Sequence, residues 1–241
     1  MKRMSRALIA RKIGLIGGMR CESTVRYSKS INREVSRRLG ALQAASLATI
    51  SLNLENIAAQ QQADNWSGVV ATLAEAGHQL QQVGAECVLL ATTTMHCVAE
   101  EVQSAIRVPL LNIVDVTARA VLRAGLQRVG LLGSRHTMEQ SFYRDRLAIY
   151  GIECIIPQEA DRDIVQRIIC DQRSHHPNQE RSQRGLQEIV HALSRSGAQG
   201  VVLGCAELPT WVDTTESDFP AFDATELHAT AAAEFSLLPR H

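Results

Sequence analysis

The chain has no charge excess, no long apolar run and no regular cysteine spacing. Its 25 acidic and 25 basic residues cancel. That balance argues against a dedicated nucleic-acid binder, which carries a strong basic excess. The basic start, Met1-Lys2-Arg3-Met4-Ser5-Arg6-Ala7-Leu8-Ile9-Ala10-Arg11, holds an apolar stretch too short for a signal sequence, and no transmembrane run follows. It reads as a frayed extension before the first strand of a cytoplasmic protein with no membrane partner. Cys21, Cys87, Cys97, Cys154, Cys170 and Cys205 form no CxxC pair. Without a secretion signal, reduced thiols are the default. No His/Cys/Asp cluster has ligand spacing, so no metal is expected; His175-His176 comes nearest. The dinucleotide and Walker spacings are both missing, as are heptads and low-complexity tracts.

What is present is an internal repeat. Lys12-Ile13-Gly14-Leu15-Ile16-Gly17 lies over Arg128-Val129-Gly130-Leu131-Leu132-Gly133. Gly84-Ala85-Glu86-Cys87-Val88-Leu89-Leu90-Ala91-Thr92 lies over Gly197-Ala198-Gln199-Gly200-Val201-Val202-Leu203-Gly204-Cys205. Val108-Pro109-Leu110-Leu111-Asn112 lies over Phe219-Pro220-Ala221-Phe222-Asp223. The three matches keep their order and a nearly constant offset. Each is an apolar run ending in small or polar residues, the pattern of a buried parallel strand and its turn. Two α/β lobes of one design follow, with Thr92 and Cys205 at equivalent strand ends, facing one bound molecule.

At 241 residues, 45% apolar and 21% charged, the chain is an ordinary globular one with ample core. Strands are expected at 13–16, 47–52, 87–90, 110–114, 129–132, 154–156, 200–203 and 221–222. Helices are expected at 23–39, 66–83, 137–150, 183–196 and 226–237, with Asp64-Asn65 as a cap and Gly40, Gly151 and Gly197 as stops. The expected divisions are a first lobe at 12–116, a second at 117–225 and a C-terminal helix at 226–241 packing on the first lobe. Residues 173–181, rich in His, Asn, Gln and Ser, are expected to be loose.

Ligands of open α/β sheets bind at the carboxyl ends of strands. Four such ends carry polar chemistry. In Gly17-Gly18-Met19-Arg20-Cys21-Glu22-Ser23-Thr24 the glycines allow close backbone approach, and Ser23 and Thr24 offer to cap an anion-binding helix start; a plain tight turn is the alternative. Thr92, Thr93 and Thr94 supply three hydroxyls for a carboxylate, or a simple cap, with His96 close behind. Arg135, between Ser134 and Thr137, has the fork to grip a carboxylate, or is a solvated surface arginine. Cys205 at a strand end beside a helix start has the setting of a reactive thiolate, whereas a lone cysteine is more often a small hydrophobe. Glu207 is an acid/base behind the thiol or a first-turn charge, and Asp223 and His228 are supporting polar groups. Cys21 and Cys97 lack repeat partners and rank lower.

These motifs resemble the PLP-independent aspartate/glutamate racemase family, aspartate racemase branch. The likeness runs from about Lys12 to the C-terminal helix. It rests on Gly14-Leu15-Ile16-Gly17-Gly18-Met19 with Glu22-Ser23-Thr24, Thr92-Thr93-Thr94-Met95-His96, Thr137-Met138-Glu139-Gln140 with Phe142-Tyr143, Gly204-Cys205-Ala206-Glu207, and Phe222-Asp223 with His228. It implies two similar α/β lobes, each a parallel sheet flanked by helices, related by pseudo-two-fold symmetry with the active site between them. It further implies no cofactor, an acidic amino acid as ligand, and often a homodimer. Family enzymes use two cysteines on opposite faces of the substrate. Here Cys205 matches the second and Thr92 replaces the first, in a motif that usually reads Cys-Asn-Thr. Ala206 stands where the second motif usually has Thr, and Arg20-Cys21 where many relatives of this branch have Ser-Trp.

A thiol, with pKa near 8.5, and an alcohol, about as weak an acid as water, differ by about 10 kcal/mol as proton donors. Thr92 therefore cannot simply replace a thiolate base, and strongly unequal rates from the two enantiomers are expected. The resemblance gives Met19, Ser23, Thr24, Thr93, Thr94, Ala206 and Glu207 as substrate-binding residues, supported by His96, Arg135, Asp223 and His228. Two other readings stand beside the racemase. One is a single-cysteine decarboxylase of the same superfamily. The other is an acidic amino-acid binding protein that has lost turnover.

Overall fold

The computed structural model describes residues 10–171, 179–212 and 219–239. They form two compact units. Unit 1 takes the chain up to Ala91, then Val98–Leu111 and the chain from Ala229 on. Unit 2 takes Thr92–Cys97 and Asn112–His228.

Unit 1 carries β1 (Ile13–Gly17), α1 (Cys21–Leu39), β2 (Leu47–Ser51), α2 (Leu54–Gln62), α3 (Trp66–Gln82), β3 (Cys87–Leu90) and α4 (Ala99–Ala105). Its sheet is parallel, in the order β2-β1-β3. Ile13, Leu15, Ile16 and Cys87 through Leu90 are fully buried, because helices cover both faces of a parallel sheet. One face packs Ile13, Leu15, Cys87 and Leu89 against Tyr27, Ile31 and Val35 of α1 and against Ala229, Ala232 and Ala233. The turn after β1 places Gly18 at φ +84°, and its amide donates to Thr24 Oγ1 at 3.0 Å.

Unit 2 carries α5 (Ile113–Arg123), β4 (Arg128–Leu132), α6 (Arg135–Glu139), α7 (Phe142–Ile149), β5 (Glu153–Ile155), α8 (Glu159–Asp171), α9 (Gln179–Arg195), β6 (Val201–Leu203) and β7 (Ala221–Asp223). The last helix, α10 (Ala224–Ser236), starts in unit 2 and continues in unit 1. The sheet is parallel, in the order β5-β4-β6-β7. Alternate residues of its strands feed two cores. Leu132, Val201 and Leu203 pack with Val165, Ile169 and Leu186 of α8 and α9. Val129, Leu131 and Val202 pack with Ile113, Val121, Tyr143 and Leu147 of α5 and α7.

The expected α/β class, with parallel sheets flanked by helices, is the observed one. The repeat lies on equivalent strands: β1 and β4 are each central, β3 and β6 each their neighbour. Its third match differs. Residues 110–114 are not a strand. Only Leu110 bridges to Val88, and Asn112 then caps α5 by accepting from Val114 N at 2.9 Å. Ile113 and Val114 are the buried face of a helix, not a strand. The helix expected over 137–150 is two, α6 and α7. Ser134 caps the first earlier than expected, and Gln140 leaves the helical region at ψ 150°. This break lets Tyr143 turn inward, fully buried, with its hydroxyl on Thr117 Oγ1 at 3.2 Å. Residues 179–181, expected loose, are the first turn of α9; 173–178, like most of the N-terminal extension, lie outside the described residues. Asn65 caps α3, accepting from Gly68 N at 3.0 Å.

Candidate functional site

Three strand ends of unit 2 emerge side by side. The pairing aligns Leu132 with Leu203 and Leu203 with Asp223. The residues that follow, Gly133-Ser134 after β4 and Gly204-Cys205 after β6, therefore leave one edge of the sheet together with Asp223. That edge is where parallel sheets bind ligands. The glycines are needed for closeness. A Cβ on Gly133 would sit 3.1 Å from Thr137, and one on Gly204 would sit 3.2 Å from the Leu132 carbonyl.

Cys205 is partly exposed, and its thiol donates to Glu207 Oε2 at 2.8 Å. Ala206 lies between them, also partly exposed. Sequence reasoning placed this cysteine beside a helix start. The structure has only a three-residue 3-10 turn, Leu208–Thr210, beyond it. Its dipole is too short to act on the thiol as an α-helix would; Glu207 is a polar neighbour in hydrogen-bond contact.

The segment Thr92–Cys97 follows β3 of unit 1 yet belongs to unit 2. Thr92 and Thr94 are partly exposed and Thr93 is buried. Thr94 Oγ1 lies 3.5 Å from Ser134 Oγ. Ser134 Oγ in turn lies 2.9 Å from Thr137 Oγ1 and accepts from Thr137 N at 3.2 Å. His96, two residues on, meets His228 edge to face with ring centroids 5.4 Å apart; both imidazoles are buried. Asp223 Oδ1 accepts from Glu226 N at 3.1 Å and so caps α10, which presents His228.

In the sequence Ser134 is read only as a flank of Arg135, and Thr137 as its other flank and the first residue of Thr137-Met138-Glu139-Gln140. A serine just after a buried strand and before a helix is itself an N-cap signal that points to Ser134. The meeting of His96 and His228 had no sequence signal.

Arg135 is tied to its own unit by ion pairs. Its Nε holds Glu139 at 2.8 Å, and its terminal nitrogens reach Asp163 at 2.9 Å and Glu159 at 3.8 Å. Its guanidinium is held charged first by Glu139 and then by Asp163.

In unit 1, Met19 and Ser23 are buried. Ser23 and Thr24 do not cap a helix as expected. The N-cap of α1 is Arg20 with no side-chain cap bond, and Thr24 Oγ1 donates back to Arg20 O at 3.1 Å while accepting from Gly18 N. Both hydroxyls sit inside the first turn. Among the other thiols, burial pushes Cys87 and Cys154 up to about 12, which removes them as nucleophiles at neutral pH. The exposed Cys21 is raised by its hydrogen bond to Glu22. Among the described residues no group of three or more His, Cys, Asp and Glu is placed to hold a metal ion, and no helix is long and apolar enough to cross a membrane.

The profile of the Asp/Glu/Hydantoin racemase family matches residues 16–232. The chain belongs to this family. Among solved structures, a candidate Asp/Glu racemase from Yersinia pestis is 38% identical with TM-score 0.89, over 95% of this chain and 100% of that one. An aspartate racemase homologue from Pyrococcus horikoshii is 31% identical with TM-score 0.82, over 94% and 99%. The broad specificity amino-acid racemase RacX of Bacillus subtilis is 25% identical over 61% of this chain and 63% of its own length. The fold alone extends to arylmalonate decarboxylase, at 15% identity and TM-score 0.56 over 93% and 92% of the chains.

Proposed function

We propose that the protein is a cofactor-independent racemase of aspartate or glutamate that works with one thiol, Cys205. The observation that carries this reading is the emergence, at one edge of the unit 2 sheet, of Cys205 with Glu207 beside Ser134, whose hydroxyl lies 3.5 Å from that of Thr94. Cys205 as thiolate removes the α-proton. The C–H electron pair moves into the α-carboxylate as an enediolate, and the sulfur becomes a thiol. Glu207, 2.8 Å from the sulfur, orients it and offers a site for its proton when the thiolate is regenerated. Thr93 and Thr94 hold the substrate carboxylates. Ala206 contributes backbone, and His96, Asp223 and His228 hold the surroundings. Hydroxyl and amide donors fixed in advance stabilise the charge that develops on the enediolate oxygens.

Thr92 stands on the other face of the substrate. Giving up its proton costs about 10 kcal/mol more than a thiol would need. Return of the proton by Cys205 to the face it left is therefore faster than delivery to the opposite face. α-Proton exchange with solvent outruns inversion. The same reading includes a homodimer in the cytoplasm.

The test is proton NMR in D₂O with L- and D-aspartate and L- and D-glutamate, with chiral analysis in parallel. Exchange from one enantiomer that disappears in Cys205→Ala supports the assignment; exchange retained in that variant defeats it. A single thiol that protonates a planar intermediate also suits a decarboxylase, and the shared fold with arylmalonate decarboxylase favours keeping that second reading. CO₂ release from a malonate-type acid, with no exchange from any of the four amino acids, would establish it instead.

A further inference from the structure

Gln166 lies on α8 and has no role in the reading above. Its Oε1 accepts from Arg135 N, the first amide of α6, at 2.7 Å, and its Nε2 donates to Cys170 Sγ at 3.1 Å. A helix leaves its first amides without intrahelical partners, so an outside acceptor fixes where α6 starts. The same two helices are joined by charge: Arg135 Nη1 meets Asp163 Oδ1 at 2.9 Å, and Arg162 Nε meets Glu139 Oε1 at 3.0 Å.

Ser134 is the residue just before this held amide. A serine hydroxyl has one proton and two acceptor sites. Thr137 N–H uses one acceptor site. The contacts with Thr137 Oγ1 and Thr94 Oγ1 use the proton and the other acceptor site. Ser134 is thus saturated, and α6 decides its position. At 3.5 Å the contact with Thr94 is at the outer limit of a hydrogen bond. A small shift of α6 therefore removes it.

We propose that Gln166 is a positioning residue: by holding the first amide of α6 it fixes Ser134, and through Ser134 it fixes the hydroxyl of Thr94. The kinetic consequence rests on the racemase reading. The positional consequence does not. When Gln166 is lost, Thr94 drifts relative to Cys205, and a carboxylate held by Thr94 drifts with it.

The experiment compares Gln166→Leu, Gln166→Glu and Ser134→Ala with the parent protein. The first readout is the Thr94 methyl resonance, assigned by its loss in Thr94→Ser. The second is kcat and KM for α-proton exchange. Gln166→Leu is expected to move the Thr94 resonance in the direction Ser134→Ala moves it, and to lower kcat about tenfold through misplacement. Gln166→Glu keeps the acceptor oxygen and is expected to return both readouts toward the parent values. If Gln166→Leu does not fold, Gln166→Asn, too short to reach Arg135 N, is expected to give the same shift. A lowered melting temperature with an unmoved Thr94 resonance and unchanged kcat would mean that Gln166 only braces α8, and would overturn the proposal. If the parent protein exchanges none of the four amino acids, the racemase reading falls, and the Thr94 resonance alone decides the role of Gln166.

Discussion

Gly18→Ala is expected to cost about three times what Gly151→Ala costs, although both glycines sit in left-handed backbone. Gly18 has φ +84° and Gly151 has φ +72°. Forcing an alanine into that region costs roughly 1–2 kcal/mol at either site. The sites differ in what a new Cβ meets. At Gly151 nothing lies within 4 Å. At Gly18 the Cβ would stand 2.3 Å from Leu52 O and 2.5 Å from Leu52 N, both backbone atoms. Relief requires the β2 end to move, an overpacking cost of roughly 1–3 kcal/mol. That movement strains the bond from Leu52 N to Gly17 O, 2.9 Å long, for roughly 0.5–1.5 kcal/mol more. The totals are about 3–6 kcal/mol against about 1–2. For a chain of this size, 1 kcal/mol moves the melting temperature by about 2–4 °C. Paired thermal and urea melts therefore separate the variants clearly. Equal destabilisation would show that Leu52 does not crowd this turn.

Two further outcomes follow from named contacts. Glu34 holds Arg37 and Arg38 at 2.6 and 2.5 Å, and Arg37 first, then Arg38, pulls its carboxyl down to about 2. A carboxyl lowered on folding stabilises the protein above its ordinary value of 4.5 and ceases to do so as pH falls towards about 2. Glu34→Gln is thus expected to lower stability by about 1 kcal/mol at pH 7, the scale of exposed ion pairs. The gap should close between pH 5 and 2 in melts of both proteins, and a gap that persists at pH 2 refutes the assignment. Thr92→Cys supplies the missing second thiol. It is expected to raise inversion relative to α-proton exchange by at least tenfold, read by NMR and chiral chromatography, and an unchanged ratio would remove Thr92 from the reaction.

The strands were legible because burial on both faces writes them as continuous apolar runs; Cys87-Val88-Leu89-Leu90 needs no other signal. The repeat carried more, since it paired the strands that turned out central and adjacent. Residues 110–114 defeated the same logic. Leu110-Leu111 begins as a strand does, and only the cap formed by Asn112 converts the next apolar pair into a helix. The ion partners of Arg135 were not legible because Glu159 and Asp163 lie on a helix far along the chain, and spacing gives no sign of them. Gln166 was invisible for the same reason. Its work is done by one carbonyl oxygen on a backbone amide, and no side-chain pattern records such a bond.

The replacement of a thiol by Thr92 constrains the kinetics more tightly than unequal rates alone suggest. Two enantiomers free in solution have equal free energy. Any racemase must therefore show equal kcat/KM in the two directions, however unlike its two proton-transfer groups are. The asymmetry between Cys205 and Thr92 can appear in kcat and KM separately, but it must cancel in their ratio. α-Proton exchange is not bound in this way. A proton removed by Cys205 and replaced by deuterium on the same sulfur gives back the same enantiomer, so this cycle crosses no barrier at Thr92. The enantiomer whose α-hydrogen faces Cys205 is then expected to exchange far faster than it inverts. The other must lose its proton to the Thr92 side, and it exchanges only as fast as it inverts. The ratio of exchange to inversion, measured separately for each enantiomer, thus reports which face the thiol occupies. A ratio near one for both enantiomers would require two bases of similar strength and would be incompatible with Cys205 and Thr92 as the pair.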